Sequence, residues 1–99
     1  MKPRERKEQL LKIALSRAAA VGYTNITRED IANHAGVVPG TVSLTFGTMP
    51  KLKRDVMRYA IRMKELKVIA QGLVASDQHA MKASDQLKAE AIDYMRGMV

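Results

Sequence analysis

Gly36 and Pro39 stand close together between two short runs that read as helices, and this constrains the chain more than any other feature. The stretch TREDIANHAGVVPGTVSLTFG runs from Thr27 to Gly47. Thr27 and Asp30 have capping-box spacing, with Asp in place of the usual Glu or Gln. Thr27 would cap the first turn, and Glu29 and Asp30 would favour the positive end of the helix dipole. Ile31 and Ala32 point inward, and Ala35 closes the run. Gly36 then suits a left-handed position that strains any residue with a Cβ, and Val37 would be buried in the turn. Pro39 is favoured at a first helical position, because its missing N–H has no helical partner there. Val38 before it is pushed to extended backbone. Valine offers no capping oxygen, which weakens this helix start by about 1 kcal/mol relative to serine. Val42 and Phe46 would face the core. Gly40, Ser43 and Leu44 fall on the outward side, with Thr41 and Thr45 at its margins.

The flanks read as supports. Met1 to Lys7 is polar and basic and contains Pro3; it is either a flexible arm or a frayed helix start. Helix one is expected from about Arg6 to Ala20, with Leu11, Ala14, Leu15, Ala18 and Val21 on one face and Leu10 beside them. Gly22 ends it. Tyr23 to Ile26 connects, with the Tyr23 ring buried and its hydroxyl near water. After Gly47, Thr48 can cap a long helix with Pro50 in its first turn, running from about Met49 to Gln71. Its apolar stripe is Leu52, Val56, Tyr59, Ala60, Met63, Leu66, Ala70 and Leu73. A last helix is expected from about Asp77 to Met98, capped by Ser76. Its face of Ala80, Ala83, Leu87, Ala91, Tyr94, Met95 and Met98 is rich in Ala and Met, which pack closely and adaptably.

These readings give an all-α chain of about five helices. The helix-turn-helix part covers residues 1–62 and a helical dimerisation region covers 63–99, continuous with helix four and forming one structural domain with it. At 99 residues the chain can bury one modest core. Its net charge is +7, and its placement matters. Up to Arg62 there are twelve Lys or Arg against five Asp or Glu; from Met63 onward the two kinds balance. A basic module joined to a neutral one suggests a polyanion-binding part and a part with another task, such as self-association. The bland alternative is a solvated basic surface. There is no cysteine, which excludes disulfides and thiolate metal sites and fits a cytoplasmic protein. MKPRERKEQ has no apolar run behind it and so does not read as a signal peptide. No uninterrupted apolar run approaches the ~20 residues of a membrane span, so no membrane role is expected.

A helix fits the major groove of B-form DNA, and a second helix behind it can fix its angle. Thr27 to Phe46 supplies the parts in order. Helix pairs with a glycine turn also occur in proteins that never touch DNA. The wider stretch GYTNITREDIANHAGVVPGTVSLTFGTMPKL is more specific and resembles the N-terminal DNA-binding domain of the tetracycline-repressor (TetR) family. The resemblance rests on Gly22-Tyr23, Thr27, Asp30-Ile31-Ala32, Ala35-Gly36-Val37, Gly40-Thr41 and Phe46-Gly47, and covers roughly residues 4–62. The remainder does not match the large ligand-binding domain usual in that family.

The resemblance implies that Thr27 and Arg28 approach a phosphate and that Pro39, Gly40, Thr41, Ser43, Leu44 and Thr45 face the groove or its walls. It also implies sequence-specific binding of double-stranded DNA, transcriptional regulation and, above all, repression. Ser43 and Thr45 stand where the family commonly has tyrosines, Leu44 where histidine is common, and Met49 where a lysine often grips phosphate. Lys51, Lys53 or Arg54 could take over that grip, and Lys2, Arg4 and Arg6 could reach phosphates or a minor groove, unless the terminus is simply disordered. Leu44 could pack on a thymine methyl group, or belong to the core.

Recognition helices act in two-fold pairs about one DNA turn, ~34 Å, apart. A homodimer is therefore expected, formed through Leu66, Leu73, Leu87, Ala91, Tyr94, Met95 and Met98. A chain this short has little room for a pocket of ~300 Å³ or more, so no small-molecule inducer is expected. His34 and His79 lie far apart without an acidic cluster, Ser16 and Ser43 have no base partner, and no phosphate-binding glycine loop exists. Hence no metal, no cofactor and no enzyme activity are expected. By analogy of size, the chain reads as a regulator of a bacterium, phage or plasmid. The competing reading is a helical protein-interaction module, a co-regulator or anti-repressor, whose basic face binds an acidic protein.

Overall fold

The computed structural model describes residues 2–97 and is all-helical, with no strand among them. The elements are α1 (Pro3–Val21), a single 3-10 turn (Tyr23–Asn25), α2 (Arg28–Ala35), α3 (Pro39–Phe46), α4 (Met49–Met63), α5 (Leu66–Val74), α6 (Gln78–Met81) and α7 (Asp85–Arg96). One contiguous core joins them, built on Leu10, Ile31, Val42, Leu52, Met57 and Ile69.

The N-terminal segment is not a loose arm. Pro3 occupies the first turn of α1, where proline fits, with Lys2 extended before it as the cap residue. The buried side of α1 is Leu10, Leu11, Ala14 and Ala18; Leu15 is half-buried and Val21 exposed. The inner face is thus turned toward Leu10, and the chain leaves the helix at Gly22. α1 lies against α2, α4 and α5. The Arg17 Nε bonds the Asp30 carboxylate at 2.6 Å and Arg62 reaches Glu8 at 3.0 Å, tying α1 to α2 and to α4.

The expected long fourth helix is broken into α4 and α5. Lys64 takes a left-handed conformation (φ 55°). Its N–H bonds the Ile61 carbonyl at 3.2 Å and the Glu65 N–H bonds that of Ala60 at 2.8 Å, which closes α4 as a Schellman motif. A straight continuation would carry Val68 and Ile69 away from the core. Folding back buries both completely and leaves Met63, expected in the stripe, 55% exposed. The same device recurs at Ser76 (φ 56°), where Ser76 N–H bonds Leu73 at 3.0 Å and Asp77 N–H bonds Gly72 at 2.8 Å. Ser76 therefore ends α5 and does not cap a following helix.

The expected last helix is also two pieces. The Asp77 carboxylate accepts from the His79 and Ala80 N–H groups at 3.0 and 2.9 Å and starts the one-turn α6. Ser84 Oγ accepts from Leu87 N–H at 3.1 Å and starts α7. α7 packs back along α5. Gly72 is where α4, α5 and α6 converge: a Cβ there would run into Met57 and the Ala80 Cβ.

Tyr23 locks the two halves together. Its N–H donates to Gln71 Oε1 at 2.9 Å, and its hydroxyl lies 3.0 Å from the Lys53 carbonyl and 3.1 Å from Asp77 Oδ1. The hydroxyl thus turns to protein acceptors. Burial, together with the Asp77 carboxylate, holds its proton affinity well above that of an ordinary phenol. The unfolded chain loses this proton near pH ~10 while the folded chain keeps it, so Tyr23 stabilises the fold below that pH and progressively less above it. We predict that Tyr23→Phe costs about 1–2 kcal/mol at pH 7. Urea unfolding should show the gap between the two proteins narrowing above pH ~10; a constant gap would contradict the assignment.

Candidate nucleic-acid interface

The turn between α2 and α3 is built as the residues require. Thr27 is extended and its hydroxyl accepts from Asp30 N–H at 3.1 Å. Asp30 does not complete the reciprocal box; its carboxylate holds Arg17 instead and lies 3.4 Å from His34 Nδ1. α2 ends at Gly36, left-handed at φ 70°, and the Val37 N–H returns to the Ala32 carbonyl at 3.0 Å. Val37 is half-buried, less enclosed than expected, because it lies at the outer edge of this turn.

α3 is anchored by Val42 and Phe46, both buried, and everything else on it faces outward or sideways. Val38 makes no side-chain cap bond. Pro39 and Gly40 are exposed, Thr41, Ser43 and Thr45 are half-buried, and the Thr45 hydroxyl donates to the Thr41 carbonyl at 2.9 Å. Leu44 is 91% exposed, so it does not belong to the core. This outer face carries no charge.

Cations flank it. A cleft of about 560 Å³ separates α3 from the start of α1, with Arg4, Arg6 and Lys7 on one wall and Thr41, Leu44 and Thr45 on the other. Lys7 was not among the expected site residues. Helix continuity from Pro3 brings it here, where its ammonium sits 5.9 Å from the Phe46 ring centre and 3.3 Å from Asp55. Lys2 is exposed just outside the cleft. After α3, Thr48 caps α4 through a long hydrogen bond of 3.4 Å from Lys51 N–H. Lys51 is exposed, Lys53 and Arg54 are half-buried, and Arg54 Nε pairs with Asp55 at 3.1 Å.

Arg28 makes a contact within the chain as well as standing at the α2 N-terminus. Its Nη2 donates to the Gly47 carbonyl at 3.2 Å, at the C-terminal end of α3, and its Nε is buried without a partner. A cation suits the negative end of a helix, and the bond fixes α2 to the exit of α3. Arg28 thus braces the end of α3.

The expected dimerisation residues divide. Leu87 and Ala91 are buried in the chain's own core, where α7 covers α5, and cannot meet a second copy without opening that packing. Leu66, Leu73 and Met95 are half-buried, Tyr94 is 40% exposed, and Met98 lies outside the described residues. Val74, 69% exposed, extends the apolar surface beside Tyr94. Between α5, α7 and the 3-10 turn lies an open, largely apolar hollow of about 360 Å³. Contrary to expectation, a chain this short does have room for a hollow of that size.

Among the described residues no group of three His, Cys, Asp or Glu is placed to hold a metal ion, and no helix is long and apolar enough to cross a membrane. No family model, no curated protein and no solved structure matches the chain.

The left-handed Gly36 gives the local test. No atom lies within 4 Å of a Cβ added there, so any cost is that of the backbone alone. Gly36→Ala is expected to lose about 1 kcal/mol, and Gly36→Asn less, in thermal unfolding. An alanine variant as stable as the parent would mean the turn is not the one described.

Proposed function

We propose that this chain is a sequence-specific double-stranded-DNA-binding regulator of transcription, a repressor that reads a two-fold operator as a homodimer through a TetR-type helix-turn-helix. The observation that carries this reading is the uncharged outer face of α3, which lies across a cleft from Arg4, Arg6 and Lys7 at the start of α1 and has the Lys51 side chain near Gly47 at its far end. Such a surface suits a duplex whose phosphates meet the flanks while a groove receives α3. Thr27 is exposed at the α2 N-terminus, where its backbone can approach a phosphate. The partner copy is assigned to the exposed apolar surface of Val74 and Tyr94, with the half-buried Met95 at its edge.

A helical protein-interaction module is the competing reading. The exposed apolar pair Val38 and Leu44 beside a basic wall is what favours it. Selection of bound sites from random duplexes, followed by a salt series on the selected site, separates the two. DNA reading predicts two chains per duplex and an affinity that falls by about 10³-fold or more between 50 and 200 mM salt. Replacing Arg4 or Lys51 by alanine should each lower the salt slope by about one, as expected when one cation no longer neutralises a phosphate. Enrichment of no sequence would reject the reading.

A further inference from the structure

The outer face of α3 has few side chains able to read a base by hydrogen bonding. Pro39 and Gly40 carry no side-chain donor or acceptor, and the Thr45 hydroxyl proton is committed to the Thr41 carbonyl at 2.9 Å. Thr41 and Ser43, both half-buried, keep hydroxyls. The large apolar side chain most open to solvent on α3 is Leu44, 91% exposed, which lines the cleft shared with Arg4 and Lys7. A single exposed leucine needs no special cause on an ordinary surface. Here it stands on the uncharged outer face of α3 among small residues, Gly40, Thr41 and Ser43, so a surface that docks on this face meets Leu44.

In the major groove the apolar group on a base edge is the C5-methyl of thymine, which cytosine acquires only on methylation. We propose that Leu44 is a specificity-determining residue that packs against the C5-methyl group of one pyrimidine in each half-site. This rests on the DNA-reading proposal above. It adds that discrimination at one step is apolar: the methyl is covered by the leucine side chain, and the flanking cations set the depth at which α3 lies. Leu44 touches nothing in the core, so its replacement leaves the fold intact.

The test uses the full chain and the duplex selected from random sequence. Each thymine is replaced in turn by uracil, and each cytosine by 5-methylcytosine, with the parent, Leu44→Ala and Leu44→Met. The expected result is one position per half-site at which removing the methyl weakens the parent about fourfold, the worth of one buried methyl. Leu44→Ala should lose that sensitivity and leave the salt slope unchanged, and Leu44→Met should retain it. A response to thymine replacement identifies thymine as the source, and a gain on cytosine methylation identifies 5-methylcytosine. Specific binding that ignores both replacements, or a Leu44→Ala protein as methyl-sensitive as the parent, overturns this inference and leaves the DNA-reading proposal standing. Failure to select any duplex overturns both.

Discussion

Tyr23 is the joint between the helix pair that presents α3 and the helices that follow it. It follows α1 directly after the Gly22 turn; its N–H reaches α5, and its hydroxyl proton lies between an acceptor on α4 and the residue that caps α6. A phenol so placed must find partners, because a buried hydroxyl left without one costs about 1–3 kcal/mol. Its acceptors are a helix carbonyl, Lys53, and a carboxylate already used as a cap, Asp77. The start of α4 and the start of α6 are thereby set from one side chain. Since Lys53 and Lys51 share that first stretch of α4, the tyrosine also sets where one cationic flank stands relative to α3.

The other flank is fixed by different means. α1 begins early, at Pro3, and the pairs Lys7 with Asp55 and Arg62 with Glu8 fasten it to α4. Each exposed pair contributes about 1 kcal/mol or less. Their effect is mainly positional, since both cationic walls are referred to the same helix. α3 is held by two buried anchors, Val42 and Phe46, and by Arg28 on the carbonyl of Gly47 just past its end. Phosphate grip is therefore proposed for rigid helix starts, and base reading for a helix face with few hydrogen-bonding groups. That division of labour makes an apolar contact by Leu44 a natural complement.

The helical class, the Thr27 cap, the Gly36 turn and the inward positions of α3 were legible in the sequence, because each depends on local chemistry. A left-handed turn wants glycine, a first helical position tolerates proline, and anchors four apart share a face. The breaks at Lys64 and Ser76 were not legible. Both put a residue with a Cβ in a conformation glycine usually fills, and at Lys64 the tertiary burial of Val68 and Ile69 outweighs that local preference. Ser84 with Asp85 after it was a start signal of ordinary strength, masked by the apolar spacing that runs across it. For the surface, charge and outward positions could be read. What Arg28 and Lys7 face could not, since each depends on a neighbour distant in sequence: Gly47 for one, Asp55 for the other.

At the centre of the proposal, α3 and the two helix starts beside it act as one DNA-facing surface. Backbone amide shifts of the full chain, followed as a selected duplex is added, test this most directly. Changes should gather at residues 4–7, 38–45 and 48–54, with α7 silent except where a second copy meets Tyr94. Changes centred on residues 66–97, with α3 unmoved, would contradict it.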